Sequence, residues 1–371
     1  MESNFEGVFQ GIPVLVTGHT GFKGSWLSIW LNELGAKVIG YSLDPPTVPS
    51  NFEASQLSQR VVDIRSDVRK LDALCRVIEE FKPLVVFHLA AQAIVLESYA
   101  NPKDTFDINV GGTVNILEAI RLTKSVRAAV CITSDKCYQN QEWAWGYREI
   151  DRLGGSEPYS ASKAMAELAI SSYRQSFFPT DKYEEHGVAV ASTRAGNVIG
   201  GGDWGKNRIV SDSVRALMKG QTIRVRNPQS VRPWQFILEP LSGYLWLTVK
   251  LLREGHRYAE AWNFGPPEQL AISVQDLVQE LIGLWGTGKW EDVSSDQAPH
   301  ETGLLRLSWE KAANLLGWQP VYTWHEALAE TADWFKEYHE SDAGVDMYNT
   351  CVEQIRRYVD HARELGAVWA L

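Results

Sequence analysis

Short, continuous apolar runs recur along the chain, and helix-length amphipathic stretches separate them. IPVLVTG (12–18), AKVIGYSLD (36–44), RVVDIRSD (60–67), PLVVFHLAA (83–91), AAVCITSD (128–135) and VAVASTRAGNVIG (188–200) read as strands. Runs without strict alternation predict strands covered on both faces, as in a parallel sheet. SWLSIWLNELGA (25–36), INVGGTVNILEAIRL (108–122) and EPYSASKAMAELAISSYRQSFF (157–178) read as helices. In the first, Trp26, Leu27, Trp30, Leu31 and Leu34 fall on one side. Strands alternating with helices imply right-handed crossovers, hence an α/β fold with a Rossmann-like, doubly wound parallel sheet. After GNVIGGGDW (196–204) the alternation loosens. The expected division places 1–198 in the nucleotide-binding domain, with 234–268 returning to it. Residues 199–233 and 269–371 then form a smaller mixed α/β substrate domain.

The first strand runs into GHTGFKG, where Gly18, Gly21 and Gly24 are spaced G-x-x-G-x-x-G before a helix. Such glycines allow a tight turn, close approach to a pyrophosphate and close packing of helix on strand. His19 and Lys23 lie in this loop, where each either approaches ligand phosphates or faces solvent. Asp44 ends the second run, where a ribose 2′-hydroxyl acceptor belongs. No Arg follows it closely, so NAD is expected rather than NADP.

The fifth run stops in TSDKCY (133–138), which sets an acid and an amine side by side at a sheet edge. Tyr159 and Lys163 lie one helical turn apart, so both can face that edge. A nearby ammonium lowers a phenol's pKa and makes tyrosinate a usable base. Tyr99 and Lys103 share the spacing, but Pro102 between them breaks the helix. By itself, Asp135-Lys136 could equally be a solvated strand end carrying a surface ion pair.

Charge changes the picture in one region. The formal net charge is −10, which argues against a nucleic-acid or membrane-surface binder. Residues 201–235 nevertheless hold seven Lys or Arg against two Asp, pointing to a local anion site. Arg224, Arg226 and Arg232 surround a turn suited to pyrophosphate; Arg215 and Lys219, on a predicted helix, read as a solvated face. Most of the 15 tryptophans read as core, with Trp204 and Trp234 candidates to stack on a sugar or base. His88, inside an apolar run, reads as a satisfied core residue, and no metal-ligand spacing occurs. The N-terminus lacks a signal-peptide core, no apolar run approaches ~20 residues, and the four cysteines form no disulfide framework. A cytoplasmic protein is expected.

The glycine turn, Ser134, and Tyr159 with Lys163 together resemble the extended short-chain dehydrogenase/reductase family. VTGHTGFKGSWL, TSDKCY, GNVIGGGDW, RPWQ and NFGP resemble its nucleotide-sugar dehydratase branch, with CDP-glucose the implied substrate and NAD the implied cofactor. The resemblance implies oxidation at the sugar's carbon 4, loss of water across carbons 5 and 6, and reduction at carbon 6. Within it, Tyr159 takes the 4-hydroxyl proton, Ser134 holds that hydroxyl, and Lys163 orients the nicotinamide ribose. Asp135 is the implied general acid and Lys136 stands where relatives carry the base. Lysine there departs from the usual Asp-Glu, because an ordinary lysine is protonated at neutral pH. The expectation is therefore a neutral Lys136 beside a protonated Asp135.

The cofactor residues implied are Gly18, Thr20, Gly21, Phe22, Lys23, Gly24, Asp44, Leu89, Ala90, Ala91, Gln92, Asn109, Thr133, Tyr159 and Lys163, with Asp63 and Ile64 flanking adenine. Those implied for substrate are Asn197, Arg208, Arg232, Trp234, His300 and Glu301. The helices after Asn109 and Tyr159 resemble those that pair in homodimers of the family, although their apolar faces could equally be internal. Rival readings stay open: a dehydratase for another nucleotide sugar, an epimerase, which needs no acid–base pair beyond the tyrosine, and a non-catalytic NAD-binding protein.

Overall fold

The computed structural model describes residues 4–267, 272–294, 305–341 and 345–371. His300 and Glu301 lie outside them. Seven strands form the central sheet: β1 (Pro13–Thr17), β2 (Lys37–Ser42), β3 (Val62–Arg65), β4 (Val85–His88), β5 (Ala128–Ile132), β6 (Ala189–Arg194) and β7 (Ala261–Asn263). All pair in parallel, in the spatial order 3-2-1-4-5-6-7. The order reverses between β1 and β4, so a crevice opens beyond their carboxyl ends.

Period-2 alternation divides the core. Val14 and Val16 of β1 and Ala128 and Val130 of β5 enter one apolar cluster; Leu15, Ala129 and Cys131 enter the other. Helices α1 (Phe22–Glu33), α2 (Leu71–Phe81), α3 (Gly112–Leu122), α4 (Pro158–Ser176), α5 (Leu238–Glu254) and α6 (Tyr348–Glu364) cover the sheet. Residues of α2 and α3 fill the second cluster, while α1, α5 and α6 share the first.

The structure corrects two expectations. The run 188–200 is not one strand: β6 stops at Arg194, and Val198–Ile199 pairs instead with Gln235–Phe236. Between them Asn197 adopts φ 51°, a left-handed conformation that ends the extended run. Helix α1 is buried all round rather than on one side, with Trp26, Ile29 and Trp30 fully enclosed. A helix apolar on every face needs a second cover, and α6 supplies it: Trp30 meets Tyr358 edge-on at 6.0 Å. Residues of α6 thus share one apolar cluster with α1.

The ends of the described chain fasten this layer. Phe5 stacks on Trp369 at 5.1 Å, its N–H donates to Trp369 O, and Asn4 Nδ2 donates to Ala370 O. No helix among the described residues is long and apolar enough to cross a membrane.

Glu239, buried in α5, ties α6 to the loop at 321–322. It accepts from the N–H groups of Val321 and Tyr322 and from Tyr358 Oη, the last two at 2.7 and 2.8 Å. Burial pushes its carboxyl up to about 7 against those donors. A folded-state value raised above the unfolded one gives stability that is complete below the unfolded value and is lost as pH rises through the folded one. Glu239→Gln keeps acceptors for both N–H groups without the charge. We expect it to match wild type at pH 5 and to exceed it at pH 8 by roughly 3 kcal/mol, read from chemical denaturation.

Candidate active site

A cavity of about 2100 Å³ lies beyond the carboxyl ends of the strands. Its floor is the turn between β1 and α1. Gly18 has φ 77°, and a Cβ there would lie 2.8 Å from Ala90 N. A Cβ on Gly24 would lie 2.1 Å from Gly18 O, so the glycines let turn, helix and the segment after β4 close on one another. The N-cap of α1, Gly21, offers no side-chain cap. The first-turn N–H groups are thus left for an anion, which fits a dinucleotide pyrophosphate. Thr20, Phe22 and Lys23 also line the cavity. Lys23 is drawn down to about 8 by burial, with Asp135 opposing and Arg208 and Lys163 assisting. His19 instead turns inward to Asp63, at 2.8 Å.

At the far end of the crevice the sequence reading needs shifting. Asp63 sits within β3, bound by His19 and by Arg65 Nε at 2.8 Å, and Ile64 packs on the second core cluster. Neither lines the cavity. Ser66, Asp67 and Val68 do, four residues later, because β3 ends at Arg65 and ligand groups lie beyond strand ends. Asp44 lines the cavity with its side chain 93% exposed. Arg65, distant in sequence, stands 3.5 Å from it, but is committed to Asp63 and to Leu43 O and lies over Phe52.

Leu89, Ala90, Ala91 and Gln92 line the central section. Asn109 does not. It sits in a π-helical turn, Asp107–Gly111, and clamps Gln92 by accepting from its N–H (2.8 Å) and donating to its carbonyl (3.0 Å). Its expected contact is therefore a hold on the cofactor loop. His88 is a core residue, bonded to Thr17 and Thr113 and held down to about 3 by burial and by Lys163.

The catalytic candidates meet at one wall. Thr133, Ser134 and Asp135 are buried, although polar, where β5 ends. Ser134 Oγ donates to Asp135 Oδ1 at 2.9 Å, and Lys136 N donates to the same oxygen at 2.9 Å. Asp135 Oδ2 rests against Gly196, where a Cβ would lie 2.0 Å away. Half-buried Lys136 faces the cavity, and Asp135 and Lys136 form no ion pair. From α4, Tyr159 reaches Ser134 through a side-chain hydrogen bond. Burial pushes the phenol up to about 12, with Ser134 opposing. The expected lowering by Lys163 is not what governs it: the Lys163 ammonium points to Ile132 O at 3.5 Å and is itself drawn down to about 8 by burial. Tyr99 and Lys103 are not brought together this way; Pro102 opens a new helix and Lys103 pairs with Asp107.

Opposite this wall stand Asn197, Arg208, Arg232 and Trp234, with Arg224 and Arg226. Asp203 grips Arg208 at 2.7 and 2.8 Å and orients it. Trp204 packs edge-on to Phe335 and Tyr338. Arg215 is no solvated cation, since it donates to the carbonyls of Trp204 and Gly205 and pins that loop.

The family model described as GDP-mannose 4,6 dehydratase matches residues 15–331. The chain belongs to that family. It is 46% identical to a CDP-glucose 4,6-dehydratase of Salmonella typhimurium over 97% of this chain and 98% of the relative. Its fold is similar to a dTDP-glucose 4,6-dehydratase of Bacillus anthracis in complex with NAD (TM-score 0.72, 23% identity, 88% of this chain and 97% of that one). It is equally similar to a UDP-glucose 4-epimerase of Thermotoga maritima (TM-score 0.73, 20% identity, 89% and 100%).

For a 4,6-dehydratase of this family, the glycine turn is where backbone meets backbone most closely in the cofactor site. Gly24→Ala places a methyl against Gly18 O. We expect NAD affinity to fall more than about tenfold with the fold intact, measured by equilibrium dialysis and circular dichroism.

Proposed function

We propose that this dehydratase converts CDP-D-glucose to CDP-4-keto-6-deoxy-D-glucose and water. One observation carries the reading: Asp135 and Lys136 face the same cavity as Ser134 and Tyr159, unpaired with one another. An epimerase has no task for that acid and amine. The relative that shares 46% of its residues bears the corresponding printed activity.

NAD, when bound, supplies a reversible hydride acceptor, so the net reaction needs no outside oxidant. Tyr159 takes the proton of the sugar's 4-hydroxyl, which Ser134 holds. Because burial raises Tyr159 to about 12, its ionisation needs the Ser134 hydroxyl to turn from Asp135 and donate to the phenolate. Asp135 Oδ1 is committed to accepting, which leaves Oδ2 to carry and donate the proton to the leaving 6-hydroxyl. Lys136 removes the carbon-5 proton, made acidic by the ketone, and must be neutral to do so. Arg208, Arg232 and Asn197 bind the diphosphate and nucleotide.

The product, a 4-keto-6-deoxy sugar nucleotide, suits deoxysugar synthesis for surface polysaccharide. A cytoplasmic location accords with four unpaired cysteines, three of them buried. We also infer a homodimer, formed through α3 and α4. Met165 and Leu168, three residues apart on α4, are 45% and 59% exposed, as an unpartnered apolar face would be.

The purified protein, given CDP-, dTDP-, UDP- and GDP-glucose in deuterated water, is expected to yield a 4-keto-6-deoxy product deuterated at carbon 5 from CDP-glucose alone, by NMR. Lys136→Ala is expected to slow carbon-5 exchange of a 4-keto substrate at least about 100-fold; exchange at the wild-type rate would remove Lys136 as the base. Epimerised sugar in place of a deoxy product would favour the epimerase. Leu168→Glu is expected to halve the mass measured by light scattering.

A further inference from the structure

Behind the catalytic wall lies a second polar layer whose ion pair lines neither the cavity nor the surface. Glu167, one turn after Lys163 on α4, pairs with Arg194 at the end of β6 at 2.8 Å, each side chain 3% exposed. The Glu167 carboxylate also accepts from Thr133 Oγ1 and, at 2.8 Å, from Ser192 Oγ. The other arm of Arg194 donates to Tyr138 Oη at 2.6 Å and to Glu149 O at 3.1 Å. Tyr138 Oη donates onward to Asn263 Oδ1 on β7, at 2.8 Å.

Thr133 and Tyr138 are the residues that bracket Ser134, Asp135, Lys136 and Cys137. One ion pair therefore holds both ends of that segment, and its acid stands on the helix that carries Tyr159 and Lys163. Stability alone does not call for charges here, since apolar side chains of similar volume serve a buried layer as well or better. We propose that Glu167 and Arg194 are positioning residues that lock the Thr133–Tyr138 segment to the helix of Tyr159 and Lys163. The inference rests on the dehydratase reading of that wall.

The pair has a charge consequence as well. Lys163 faces Glu167 on its own helix, Cys131 on β5, Cys137 in the turn beyond, His88 on β4 and Lys23 on α1. Burial draws the ammonium down, and Glu167 is the leading influence that opposes it. Burial would also raise the Glu167 carboxyl, but Arg194 overrides it and keeps the acid ionised. Without the Glu167 charge, Lys163 gives up its proton at a lower pH.

The test uses the full-length protein with Glu167→Gln and Arg194→Lys. The Lys163 midpoint is followed by NMR of ¹³Cε-labelled lysine, assigned with Lys163→Arg, alongside Tm and pH profiles of kcat and KM for CDP-glucose. In Glu167→Gln the Lys163 midpoint and the alkaline limb of kcat should both move down by about one pH unit. Arg194→Lys keeps a cation but loses the two-sided fork. Its kcat should fall about 100-fold with little change in KM. Should that variant fail to fold, Tyr138→Phe removes only the hydroxyl that Arg194 grips and should lower kcat in the same sense. A lowered Tm with the midpoint, the limb and kcat unmoved would make the pair merely structural and overturn the inference. If wild type leaves CDP-glucose unchanged, the proposed function falls. The Lys163 midpoint in Glu167→Gln still decides the inference: a fall supports it and no change overturns it.

Discussion

Strand β5 runs through five buried residues and then, without leaving the interior, sets Thr133, Ser134 and Asp135 at the cavity wall. Polar groups taken from water must find partners or lose their charge, and that constraint shapes the rest of the site. Burial is the leading influence on Lys23, Tyr159 and Lys163, in each case toward the neutral form. Ser134 bonds Asp135 and Tyr159, Asp203 holds Arg208, and Glu167 answers Arg194. What a loop would leave to solvent is here met by protein, so geometry and protonation are set together.

The same constraint separates the two sides of the cavity. The catalytic wall belongs to β5 and α4, both packed on the sheet. The anion side is built from Arg208, Arg224, Arg226 and Arg232 on short segments after the sixth strand. Cations that meet a flexible diphosphate tolerate such a setting, while groups that must meet a particular carbon do not. On the proposed reading, reaction chemistry rests on the packed sheet and nucleotide recognition on the short segments beyond it.

Much of the fold was legible because its signals are local. The glycine turn, the apolar runs and the one-turn spacing of Tyr159 and Lys163 each lie within a few residues, where spacing dictates geometry. Local spacing reached less far at β3, where Asp63 and Ile64 lie within the strand and the cavity is lined beyond its end by Ser66, Asp67 and Val68. Gly196, needed to seat Asp135, and Asn197, whose left-handed turn follows β6, are visible in the sequence but uninformative until distant elements meet. Glu167 and Arg194 left no signal of this kind. A lone acid on a helix and a lone arginine at a strand end become a pair only when β5, β6 and α4 are packed side by side.

The clasp between Phe5 and Trp369 bears on the order in which the molecule can be finished. Helix α1 appears early in synthesis, but the aromatic cover over its outer face comes from residues 348–370. Until those residues leave the ribosome, Trp30 lacks its Tyr358 and Trp369 neighbours and the nucleotide-binding sheet carries an open greasy flank. A nascent chain must therefore wait, with that flank unguarded, until residues 348–370 arrive.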